Sequence, residues 1–126
     1  MAEVTILAQD EAVRLDAEKL EALYRQLGDV SAEDIVCRAM EELAVKLAQV
    51  ERHYREGRAG EMRKTARMIV AIAEQIGMQM LARVAGDAVR CLDHRDEIAL
   101  AAVLARLIRT GERSLTEVWE LQDLSI

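Results

Sequence analysis

The chain has 126 residues, 52% of them hydrophobic, which is the length of one domain with enough apolar material for a core of its own. With no proline or phenylalanine, two tyrosines and one tryptophan, the apolar content is mostly alanine, leucine, valine, isoleucine and methionine, a mixture that favours helix over sheet. A formal charge of −6 argues against nucleic acid as the main partner, and no uncharged apolar run reaches membrane-spanning length, so a soluble cytoplasmic domain is expected.

The first helical pattern runs from about Asp10 to Leu27, with Leu15, Leu20, Leu23 and Leu27 apolar and Gly28 as its stop. Ser31, followed by Asp34, is placed to cap a second, long helix. Its apolar stripe is Val36, Met40, Leu43, Leu47, Val50 and Tyr54, in alternating steps of four and three. Gly57 and Gly60 bracket a turn, and Met62, Ala66, Ile69, Ala73, Ile76 and Met80 continue the stepping, with Gly77 as a break. A further helix covers about Met78 to Leu92 with Leu81, Val84, Ala88 and Cys91 or Leu92 inward. The "DHRD" turn follows, then a helix from about Arg95 to Arg109 with Ile98, Ala101, Leu104 or Ala105 and Ile108 inward. Gly111 ends that helix in this reading, and Ser114 caps a final short one carrying Leu115, Val118, Trp119 and Leu121.

Short connections between such helices predict an all-α, antiparallel up-down four-helix bundle with a short helix at each end. Residues 1–126 form one domain in this reading: a lead-in helix over 1–30, the main bundle over 31–111 and a C-terminal short helix over 112–126. Neither His53 nor His94 has a glutamate three residues before it, so a di-metal carboxylate site is not expected, and no motif implies a cofactor. Ser31 and Ser114 read as caps rather than nucleophiles, His53 and His94 as solvated surface groups, and Cys37 and Cys91 as buried free thiols. No catalytic residue is assigned.

Charge is unevenly spread. Between Arg52 and Arg67 six basic residues face two acidic ones, a local +4 that leaves −10 elsewhere. On the second long bundle helix, Arg63, Lys64, Arg67, Ala71, Glu74 and Met78 fall opposite the apolar stripe, with Met68 and Val70 flanking it.

The order "LDAEKLEALYRQLGD", a long helix, then "HYREGRAGEMRKTARMIVAIAEQIGMQMLARVAGDAVRCLDHRD" resembles the histidine-containing phosphotransfer domain of bacterial phosphorelays, from about Leu15 to Leu121. That family is a four-helix bundle passing phosphoryl groups to and from aspartates of response-regulator receiver domains. Its signature is an exposed histidine on the second bundle helix, a lysine three residues on, then a glycine, and an Ile/Leu-Gly pair at the helix end. Aligning Ile76 and Gly77 with that pair puts Arg67 at the acceptor position, Val70 at the lysine and Ala71 at the glycine. A phosphoryl acceptor needs a nitrogen lone pair, which neutral imidazole offers and protonated guanidinium does not.

The resemblance therefore implies a non-catalytic module that binds a receiver domain or a histidine kinase through Arg63, Lys64, Arg67, Met68, Val70, Ala71 and Glu74. Two alternatives stand beside it. One is phosphotransfer through a displaced histidine, His53 or His94. The other is a structural or oligomerisation bundle, including a homodimer, that buries Met68 and Val70 in a self-association contact.

Overall fold

A computed structural model describes residues 17–124. The expected start of the first helix near Asp10, its Leu15, and the side chains of Leu20 and Leu121 lie outside the described residues. The chain forms helices α1 (Ala17–Leu27), α2 (Asp29–Arg55), α3 (Ala59–Gln75), α4 (Gln79–Asp93) and α5 (Glu97–Leu124). Each packs on the next in sequence, and α5 returns against α2, which makes an all-α helical bundle with α1 resting on α2.

Three of the connections share one geometry. At Gly57, Gly77 and Arg95 the backbone enters the left-handed region, with φ of 71°, 77° and 54°. In each case that residue's N–H bonds the carbonyl three residues back. The N–H after it reaches five residues back, from Arg58 to His53 (2.9 Å), Met78 to Ala73 (2.8 Å) and Asp96 to Cys91 (3.0 Å). These are Schellman ends, which satisfy carbonyls a helix terminus otherwise leaves open. Glycine adopts this backbone without steric cost; Arg95 does so against it. Asp96 then restarts the chain, its Oδ1 accepting the Ala99 N–H at 3.1 Å.

The apolar stripe read in α2 is buried from Val36 to Val50, and Tyr54 at its end is exposed. In α3 and the turn after it Met62, Ala66, Ile69, Ala73 and Ile76 are buried; in α4 Leu81, Val84 and Ala88 are. Met78, placed on the outward face by continuing one wheel past Gly77, is fully buried, because the Gly77 turn reverses the chain and points Met78 back into the core.

Further sequence expectations are corrected. Ser31 is not a cap: Gly28, with φ of 80°, turns the chain straight into α2 at Asp29, leaving Ser31 exposed one turn inside. Gly111 does not end a helix, Ser114 does not cap another, and the C-terminal short helix over 112–126 is the second half of α5. The inward register of α5 also differs. Leu100, Leu104 and Leu107 are buried, whereas Ile98 is 88% exposed and Ala101 and Ala105 face outward.

Both α5 corrections have one cause. Leu100, Leu104, Leu107, Gly111, Ser114 and Val118 step by four and three along a single face, and all are buried. Gly111 sits on that face because α2 comes too close for a side chain: a Cβ there would lie 2.5 Å from Leu47 Cδ1, 3.1 Å from Cδ2 and 3.3 Å from Cγ. Ser114, fully buried, carries a hydroxyl with no hydrogen-bond partner.

These contacts set opposite signs for one substitution. Gly111→Ala should destabilise by about 1–2 kcal/mol, since the whole Leu47 fork must move and this outweighs the gain in helix propensity. Gly86→Ala in α4, where the nearest atom is 4.0 Å away, should stabilise by about 0.5–1 kcal/mol. Ser114→Ala, which removes an unpartnered buried hydroxyl, should raise stability by about 1 kcal/mol. Urea denaturation of each variant checks all three, and a stabilised Gly111→Ala would contradict the close approach. Separately, Arg95→Gly should raise the urea midpoint by relieving about 1 kcal/mol of left-handed strain.

Candidate partner-binding face

Helix α3 buries Met62, Thr65, Ala66, Ile69 and Ala73. Because it packs against both α2 and α4, its buried arc is wider than a single stripe. Of the residues expected on its outward face, Lys64, Arg67, Met68, Ala71 and Glu74 are exposed, Met68 to 47%. Val70 is not part of that face: it is half-buried and packs against the core. The outward stripe thus carries two cations, one thioether, one methyl group and one carboxylate.

Arg63 is half-buried and committed elsewhere. Its Nε donates to Asp93 Oδ1 at 2.6 Å and a terminal nitrogen donates to Oδ2 at 3.3 Å, a two-pronged pair tying the start of α3 to the end of α4. This hydrogen bond is the main reason the Asp93 carboxyl is held below its ordinary value of 3.8; partial burial opposes the shift, and the charges of Arg63, His94 and Arg67 add to it. The same bond raises the Arg63 guanidinium further. Arg67 therefore lies within electrostatic reach of Asp93, and among the described residues it has no ion-pair partner of its own. A guanidinium there is a donor only and cannot take a phosphoryl group on nitrogen.

The two histidines differ from each other. His94 caps α4 and is exposed, with Nδ1 2.8 Å from the Arg90 carbonyl. A carbonyl only accepts, so Nδ1 carries the hydrogen and Nε2 holds the lone pair when the ring is neutral. His53, expected as a solvated surface group, is half-buried, and its Nδ1 is buried without a partner. The turn at Gly57 folds α3 back beside it, which sequence position alone did not reveal.

Cys37 and Cys91, expected to be buried, are each half-buried. Among the described residues no group of three or more histidine, cysteine or acidic side chains could hold a metal ion, and no helix is long and apolar enough to cross a membrane. No family model, curated protein or solved structure matches this chain.

Asp93 was missed at the sequence level as the partner of Arg63. A signal existed: Arg63 lies fourteen residues before Gly77 and Asp93 sixteen after it, so in an antiparallel hairpin they face each other.

An aspartate whose folded-state pKa is depressed contributes stability that is fully present above its unfolded value and is lost as pH falls through the depressed one. Arg63→Gln should therefore return the Asp93 titration midpoint to the ordinary range. The stability gap between wild type and variant should close as pH drops below about 4. Carboxyl-carbon NMR titration with parallel acid unfolding measures both, and an unmoved Asp93 midpoint would dissolve the pair.

Proposed function

We propose that this chain is a non-catalytic relative in form of the histidine-containing phosphotransfer domain: an up-down four-helix bundle of α2 to α5 that docks a receiver domain or a histidine kinase through the outward face of α3 without accepting phosphate. The observation that carries this reading is Arg67, exposed in the middle of the α3 stripe beside Met68 and Ala71, where the resembling family has its acceptor. Support also comes from the pairwise packing of α2 to α5 with α5 returning to α2, and from the Ile76-Gly77 end of α3. Receiver active sites are acidic, and an unpaired guanidinium with five N–H donors is suited to enter such a pocket. Met68 supplies an adaptable apolar contact next to it.

One specific observation favours a second reading. The His94 ring is exposed with its Nε2 lone pair directed away from the capping bond, and the cations Arg63 and Arg67 act on its neighbour Asp93. Phosphotransfer through His94 is the activity this arrangement would allow. A self-association role for Met68 and Val70 loses half its motivation, because Val70 packs inward. A structural or oligomerisation bundle remains the reading that failure of both would leave.

Mixing the chain with radiolabelled phospho-receivers separates these readings. No label should appear on the wild-type chain, and at least one receiver should change its dephosphorylation rate. Arg67→Asp should weaken that receiver's binding at least tenfold by calorimetry. Label that appears on the chain and disappears with His94→Ala would replace the docking reading with the catalytic one. Equal binding by wild type and Arg67→Asp would remove Arg67 from the interface.

A further inference from the structure

The end of the bundle at which the Gly57 and Arg95 turns sit contains a cavity of about 420 Å³. Helix α2 contributes His53, Tyr54 and Arg55, the following turn contributes Arg58, and Met62, Leu92 and Leu100 supply the apolar lining from α3, α4 and α5. Met62 and Leu100 are buried core residues, so the lining is continuous with the interior. Arg55 and Arg58 both line it, and so does Glu97 from the start of α5.

Two features are left unresolved by folding alone. His53 Nδ1 is buried without a hydrogen-bond partner, although polar atoms in interiors are normally satisfied. Arg55 has no ion-pair partner among the described residues, while Arg58 reaches Glu56 at only 3.6 Å, with both side chains substantially exposed. An apolar pocket with a few convergent polar groups is the ordinary form of a small-molecule site.

We propose that this cavity binds a small organic oxyanion with a short apolar body. Its charged head meets Arg55 and Arg58, and its body lies on Met62, Leu92 and Leu100. Glu97 repels the head from the α5 side and so fixes the orientation of the ligand. The site uses none of the outward residues of α3, and its outcome is independent of receiver docking.

Phenyl phosphate serves as the probe, titrated into the ¹⁵N-labelled full chain, with inorganic phosphate and benzyl alcohol as head-only and body-only comparisons. The largest shifts are expected at Gly57, Arg58, Ala59 and the His53 ring, with affinity at least tenfold above either comparison. Arg55→Glu and Arg58→Glu, both at exposed positions, should each lower affinity at least tenfold with an unchanged circular dichroism spectrum. Arg52→Glu, an equal charge change on an adjacent residue that does not line the cavity, should stay within about threefold, the residue of long-range screening. Equal binding of inorganic phosphate, shifts spread over all surface arginines, or an Arg52→Glu effect matching Arg58→Glu would each overturn the proposal.

Discussion

Every major feature of this molecule depends on reversing a helix within a few residues. A helix end leaves carbonyls without partners, and the chain satisfies them three times by the same device, one residue in the left-handed region with bonds reaching three and five residues back. The device fixes where α3 begins relative to α2, where α4 begins relative to α3, and where α5 begins relative to α4. It therefore also fixes what meets at the two ends. The Gly77 turn closes one end of the α3–α4 hairpin, and the Gly57 and Arg95 turns share the other, which holds the Arg63–Asp93 pair, His53 and the cavity. That Arg95 holds a conformation the other two give to glycine places steric strain in the turn between His94 and Asp96.

The legibility of the sequence followed how strongly each helix separated its faces. In α2 polar residues interrupt the apolar ones at every turn, and in α3 they do so on both sides of the Met68–Ala73 run, so the wheel has one solution, and the core positions it gives from Val36 to Val50 and from Met62 to Ile76 are buried. Residues 98–108 are apolar almost all round, and several registers fit them equally well. What selects the true one lies beyond Gly111, in the continuation through Ser114 and Val118, whereas the sequence pattern alone makes this glycine a stop. Glycine terminates a helix when its φ is positive; at Gly111 it serves instead to admit Leu47. One letter thus stood for two unrelated physical requirements, and only the neighbouring helix decides between them.

The outward face of α3 was legible for the same reason its core was, since one wheel gives both. What the wheel could not give was which cations are already occupied. Arg63 and Arg67 are one helical turn apart, with identical charge and comparable reach. Arg63 is joined through both oxygens to Asp93, thirty residues away in sequence, and its charge is largely spent inside the fold. Sequence proximity made the two look like a pair, but tertiary contact divides them into a strut and a free donor.

That division bears on what a partner would meet. The local excess of +4 overstates the attraction available at the α3 face, because Arg63 is paired with Asp93, which lies outside that segment. Lys64 and Arg67 remain on the stripe, with Glu74 two turns further along as a like charge against an acidic partner. Long-range steering toward an acidic surface is then modest, and binding strength at this face has to come from short-range contact: donor geometry at Arg67 and apolar burial at Met68. A guanidinium held on a rigid helix, with no ion-pair partner among the described residues, enters such a contact without first breaking an ion pair, and that is what distinguishes Arg67 from Arg63 one turn before it.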